Sequence, residues 1–297
     1  DLTVVDETEL HCTPGGSVRG MYPDERAIDD LIREYVTERH PDAVREPVDA
    51  EADPERVRGA VVETFDLDRT KCDLRPRYVS HDADDGLDVE HVFFKAERDP
   101  DFVVTGVLVS DPDVTTRVPA VVLYEDGTGE LPDRSYEVGA LAADYGTVFV
   151  FDPRGVGAVR NREIPIPAWV DDYDGIYGTE FKLAYDALLA GTSLFGLRIF
   201  DVLRGLEFVR EATGTEETAL VGEGIGAYHA LYAAVADHDV EAVELRDLGP
   251  SFYEMATSRE YPYDARLTAF DVIEDGDVPD ALVALERRGL DVPSVQS

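Results

Sequence analysis

Residues 218–234 read TALVGEGIGAYHALYAA, and the reading of this stretch decides the fold. Thr218-Ala219-Leu220-Val221 is a short apolar run closed by glycine, the pattern of a strand buried on both faces. Gly222-Glu223-Gly224-Ile225-Gly226 follows, and residues 227–234 are small and helix-forming. The outer glycines let the chain turn sharply and let the next helix pack close to the strand. The apex of the turn is Gly224, a position from which a side chain would project above the sheet, and glycine has none.

Working outward, the runs PAVVLY (119–124) and TVFVF (147–151) predict two more buried strands. Helices are predicted at about 134–145 and 195–212, a further strand at 240–245, a helix at 278–287 and a last short strand at 290–295. This alternation after residue 116 argues for an α/β fold, a three-layer and mostly parallel sheet. Residues 89–96 and 102–110 flank the turn-like Glu97-Arg98-Asp99-Pro100-Asp101 and predict an antiparallel pair. Residues 1–86 read as an N-terminal helical/β appendage, in which the pattern changes to strands from Leu74. It has one helix within 24–40, with Ile28, Leu31, Ile32 and Tyr35 on its apolar face, and another at 54–65. The main domain is expected at 87–297, interrupted by an irregular insertion at about 161–193 rich in Pro, Asp and Tyr.

Composition narrows the function classes. Asp and Glu number 64 against 27 Lys and Arg, a formal charge of −37, and only Lys71, Lys95 and Lys182 are lysines. Acid spread along the whole chain implies a solvated skin that tolerates its self-repulsion when salt screens it. An acidic, lysine-poor globular chain resembles the proteins of extreme halophiles, including archaeal ones. The expected compartment is the cytoplasm of a high-salt cell, with secretion left open because the N-terminus has no initiator Met. Nucleic acid is excluded as a partner for want of a basic patch, and a membrane for want of a spanning segment. Cys12 and Cys72 form no disulfide framework, although one bridge between them is open to the sequence.

From about Val89 onward the order of elements resembles the α/β-hydrolase superfamily, in particular the acetyl xylan esterase-like and dienelactone hydrolase-like carboxylesterases. The elbow at 218–234, the Asp152-Pro153-Arg154-Gly155-Val156-Gly157 turn after a buried strand, and the long helix before the elbow strand carry the likeness. The stretch LHCTPGGSV (10–18) is similar to a segment that links units in larger multi-domain members. The resemblance implies a G-x-S-x-G elbow serine activated by a His, itself held by an acid, with backbone N–H groups stabilising the oxyanion. The serine position is Gly224. The oxyanion donors would be Ile225 and the 126–129 loop, represented by Gly127, and the remnant acid would be Asp247. The family's last strand and its His segment have no counterpart, since the last histidine is His238. The expectation is a degenerate, non-catalytic domain of a larger hydrolase, serving structure, oligomerisation or the binding of a carbohydrate or small ester. It would work as a homo-oligomer or beside a partner hydrolase domain, with no cofactor and no metal. An active carboxylesterase using groups supplied by another chain is the alternative.

A second reading of the elbow is the dinucleotide fingerprint G-x-G-x-x-A at Gly222, Gly224 and Ala227, with Glu244 about twenty residues on as the ribose acid for NAD or NADP. The hydrolase order of the preceding strands argues against it. His229 reads as a packing histidine, His81 and His91 with the intervening aspartates as surface residues, and Ser251 as a helix cap. Trp169, Tyr173, Tyr177 and Tyr185 read as packing of the insertion, with a carbohydrate platform as the alternative.

Overall fold

The computed structural model describes residues 4–18, 20–22, 24–41, 53–98, 101–114, 117–161, 179–259, 264–292 and 294–295. Its eight strands are β1 (Arg77–Asp84), β2 (Leu87–Glu97), β3 (Phe102–Ser110), β4 (Ala120–Leu123), β5 (Thr147–Asp152), β6 (Thr218–Glu223), β7 (Val240–Arg246) and β8 (Ser294–Val295). They form one sheet in the order β1-β2-β3-β5-β4-β6-β7-β8. β1 to β3 are an antiparallel meander and β3 pairs antiparallel with β5; from β5 to β8 every pairing is parallel. The helices are α1 (Ile28–Arg39), α2 (Pro54–Thr64), α3 (Leu131–Tyr145), α4 (Thr179–Leu189), α5 (Leu194–Thr213), α6 (Ile225–Ala236), α7 (Phe252–Thr257), α8 (Val272–Asp275) and α9 (Val278–Arg287). None described is long and apolar enough to cross a membrane.

The continuous apolar runs are explained by burial on both faces. Val121, Phe149, Phe151 and Leu220 point into a large core with α2, α5, α6 and α9. Their neighbours Val122, Val148, Val150 and Val221 point into a smaller core with Val138, Leu141 and Ala142 of α3. The alternation of side chains along a strand therefore feeds two apolar layers. Phe94, Phe149 and Phe208 pack together at centroid separations of 4.9–6.3 Å, Phe94 stacked on Phe208 and Phe149 tilted against both, in the larger core beneath β2 and β5.

Several expectations take a more definite form in the structure. Residue 86 lies in a hairpin of the sheet. Asp85 and Gly86, both with positive φ (49° and 88°), make the two-residue turn between β1 and β2 in the same sheet. Helix α2 also belongs to the main body, since Phe65 at its end lies 5.2 Å from the ring of Phe195 and 5.0 Å from that of Tyr232. The apolar stripe of α1 is not buried: Ile28, Leu31, Ile32 and Tyr35 are exposed, and the helix is held by Arg259, which pairs with Asp29 and Asp30. Part of the expected irregular insertion is helix α4. Trp169, Tyr173 and Tyr177 lie outside the described residues, and Tyr185 is exposed on α4 with its ring stacked on Phe181. The strand expected at 290–295 is present as the two residues of β8, paired with Leu245 and Arg246. Both cysteines are free thiols.

Candidate functional site

The elbow is built as the glycines demand. A Cβ on Gly222 would stand 2.7 Å from Ala227 Cα, and one on Gly226 would stand 2.8 Å from the Leu123 carbonyl carbon and overlap its oxygen. These two positions admit glycine alone, because strand β6, strand β4 and helix α6 converge there. Gly224 differs. Its backbone takes φ 56°, ψ −120°, a conformation that strains an L-residue, yet a Cβ there would meet only Glu125 Oε2 at 3.5 Å. The turn thus has room for a side chain and carries none. Gly224 N–H donates to Arg246 O at 3.0 Å, which brings the end of β7 to the turn. The N–H of Ile225 opens α6 and has no intrahelical acceptor, as an oxyanion donor requires.

Charged groups stand over the turn. Glu125, just beyond β4, accepts from Arg266 Nη2 at 2.7 Å, and Arg266 also forks onto Asp264 at 2.7–3.1 Å. Burial works against the Arg266 charge, but Asp264 and Glu125 outweigh it and raise its pKa above the ordinary arginine value. A cleft of about 230 Å³ lies beside this pair, lined by Glu125, Gly155, Arg160, Glu180, Arg198 and Arg266 among others. Arg198 is 1% exposed; its Nε donates to Arg154 O at 2.9 Å and its Nη2 to Glu180 Oε2 at 2.6 Å.

Beneath the turn, His229 of α6 faces a void of about 10 Å³ shared with Leu123, Tyr124, Ile225, Gly226 and Arg198. That is about the space of one water molecule. The imidazole packs on Phe195 at a centroid distance of 5.2 Å, and its Nε2 is buried without a protein partner. Burial, with Arg198 and Arg266 adding repulsion, drives its pKa well below 6.5, so it is neutral at pH 7 and a poor proton acceptor.

The turn after β5 has a different logic. Asp152, fully buried, accepts from Thr128 N (2.6 Å), Thr128 Oγ1 (2.6 Å), Ala158 N (2.9 Å) and Thr105 Oγ1 (3.1 Å). It staples the loop after β4 to its own turn. Gly127 and Gly157 are glycines for this reason, since a Cβ on either would overlap the Asp152 carboxylate. Arg154 next to it forks onto buried Asp201, with both contacts at 2.7 Å.

The residues expected from the sequence fare unevenly. Ile225 is the first residue of α6, directly after the apex. Gly127 does not serve as its partner, because its N–H donates to Tyr124 O at 3.3 Å within the tight turn that delivers Thr128 to Asp152. Asp247 follows β7 beside the elbow, exposed and with left-handed backbone (φ 49°). Among the described histidines other than His229, His81 pairs with Glu90 across the β1–β2 hairpin and His238 with Glu55 at the foot of α2. Ser251 caps α7, accepting from Glu254 N at 3.1 Å. For the dinucleotide reading, Gly222, Gly224 and Ala227 do open a helix, but Glu244 is engaged by Arg246 Nε at 2.7 Å and the Glu125 carboxylate stands over the turn where pyrophosphate would sit. Glu125, Arg198, Arg266 and the stapling role of Asp152 were not legible in the sequence. Each depends on loops far apart along the chain.

No protein-family profile matches the chain, and no curated protein matches its sequence. Solved structures do. At 14% identity and a TM-score of 0.71 the chain is similar to a Bacteroides fragilis protein described as a candidate acetyl xylan esterase; the match covers 95% of this chain and 77% of that one. It is also similar to a glucuronoyl esterase from Solibacter usitatus, at 14% identity and a TM-score of 0.51, over 80% and 72% of the two chains. The fold is α/β-hydrolase-like, as the order of elements at the elbow implies.

Proposed function

We propose that this chain, an α/β-hydrolase-like fold with esterase structural neighbours, is a non-catalytic esterase-like domain. One observation carries the reading: the elbow keeps its steric glycines and its strained apex, and the apex is Gly224. Without a nucleophile, and with the nearest imidazole buried and held neutral, the site has no route to an acyl-enzyme. What persists is one backbone donor at the turn and, beside it, a cleft with fixed charges, suited to holding a carbohydrate or small ester for a partner hydrolase domain or a second copy. The pervasive acid supports work in high salt, in the cytoplasm of a halophile. The test is hydrolysis of a short-chain aryl acetate in multimolar potassium chloride, beside labelling with a serine-reactive fluorophosphonate read by intact mass. Background turnover and an unmodified mass are expected. Turnover with a stoichiometric adduct overturns the reading, and turnover that appears only with a partner chain supports groups supplied in trans.

A further inference from the structure

The cleft of about 230 Å³ beside the Glu125–Arg266 pair is balanced in charge. Among the described residues three carboxylates line it, Glu125, Asp126 and Glu180, with three guanidinium groups, Arg160, Arg198 and Arg266. Neither sign is in surplus, so a charged ligand finds no net counter-charge there. The inner groups also hold one another: Arg266 is engaged by Asp264 and Glu125, and Arg198 by Glu180 and the Arg154 carbonyl. Fixed donors and acceptors side by side suit a neutral ligand whose groups both donate and accept. The volume lies below the roughly 300–1,000 Å³ of sites for drug-sized molecules, which leaves room for about one sugar-sized ring.

Two groups distinguish a hydroxyl from its ester. The first is Glu125. Its Oε1 accepts from Arg266 Nη2 at 2.7 Å, and its Oε2 stands 3.5 Å from where a Cβ on Gly224 would be. A carboxylate paired with arginine only accepts. A hydroxyl that reaches the bare apex therefore gains a charge-assisted hydrogen bond, while an acetyl ester offers lone pairs alone and is repelled. The second is His229. The void under the turn shares Glu125, Val156 and Arg198 with the cleft, and the imidazole Nε2 there is buried without a protein partner. With space for about one water molecule, the void admits a hydroxyl and is too small for an acetyl group. A hydroxyl serves either tautomer of the imidazole, because it both donates and accepts.

We propose, resting on the non-catalytic reading above, that this cleft binds a neutral polyhydroxylated ring, an unesterified sugar, and rejects its acetyl ester. One hydroxyl donates to Glu125 Oε2 at the apex, and its neighbours answer the guanidinium and carboxylate groups of the wall. Saturation-transfer NMR on the whole chain in potassium chloride tests this. The probes are the methyl glycosides of glucose, galactose and mannose, their peracetates, and two charged analogues, methyl glucuronoside and methyl glucosaminide. At least one neutral glycoside should bind saturably, and its peracetate at least about tenfold more weakly, as the loss of a hydrogen bond to a charged group implies. Neither charged analogue should bind more tightly than the neutral glycosides. Glu125→Gln keeps the size of the side chain and adds a donor. In that variant, with circular dichroism unchanged, the preference for glycoside over peracetate should fall at least about fivefold. The comparison of probes on the unaltered chain stands without the variant. A peracetate bound as tightly as its glycoside, a preference for a charged analogue, no saturable binding by any glycoside, or an unchanged preference in folded Glu125→Gln would overturn the proposal. Acetate released from a peracetate above a heat-killed control marks failure of the non-catalytic reading, so the two failures are told apart.

Discussion

Two glycine-rich turns close buried strands at the same end of the sheet, and they have kept different things. The turn after β5 retains its working side chain: Asp152 gathers four donors, and Gly127 and Gly157 are small because its carboxylate fills their space. The turn after β6 retains only the frame. Gly222 and Gly226 are compelled by backbone packing, while roomy Gly224 leaves the apex bare. At Gly222 and Gly226 a side chain is excluded by backbone packing; at Gly224 no neighbour excludes one.

The comparison can be broken first at Asp152. Asp152→Ala removes four hydrogen bonds that tie the two loops together, and at about 1 kcal/mol each the expected loss is about 4 kcal/mol. Chemical denaturation in high salt measures it, and a loss under 1 kcal/mol would show that the staple is dispensable. Gly226→Ala comes next. Its penalty is steric, against Leu123, and about 3 kcal/mol is expected. Gly224→Ala should cost less, about 1–2 kcal/mol, because its penalty is conformational alone. If the two glycine variants proved equal, the distinction between compelled and vacant positions would fail.

His229 sharpens the contrast through pH. Its folded pKa lies below the unfolded value, so the native state binds fewer protons. The histidine's contribution is whole above pH 6.5 and is lost as the pH falls below it. Each pH unit below that point costs up to about 1.4 kcal/mol, so between pH 6.5 and 5.5 the chain should lose about 1 kcal/mol more than His229→Phe. Parallel stability curves for the two proteins would remove the buried imidazole from the account. The smallest effect is the most telling: Gly224→Ser should fit the turn and leave ester turnover at background, because no imidazole able to accept a proton faces it. A large gain in turnover would locate a base that the geometry does not reveal.

Legibility followed the range of the forces involved. The buried strands, the antiparallel pair, the elbow and the cap at Ser251 rest on local periodicity, glycine sterics and short-range hydrogen bonds, and all were readable. Strand β1 was legible only as a change to strand pattern from Leu74, without bounds, because it is an exposed edge strand without an apolar alternation. The Asp85-Gly86 dipeptide, a preferred two-residue hairpin turn, was the available signal. The apolar stripe of α1 was readable as a stripe but not as an exposed one, since periodicity shows that a face is apolar and not what covers it.

By itself the sequence determined the layer architecture, the absence of a nucleophile at position 224 and the acidic surface, because strand burial, glycine identity and net charge are properties of residues in their local order. Only the tertiary structure decided that Gly127 is spent on accommodating Asp152 and that Glu125 and Arg266 meet over the elbow. Arg266 and Glu125 are 141 residues apart in the chain, and no local pattern encodes a contact that only the crossovers of the sheet bring about.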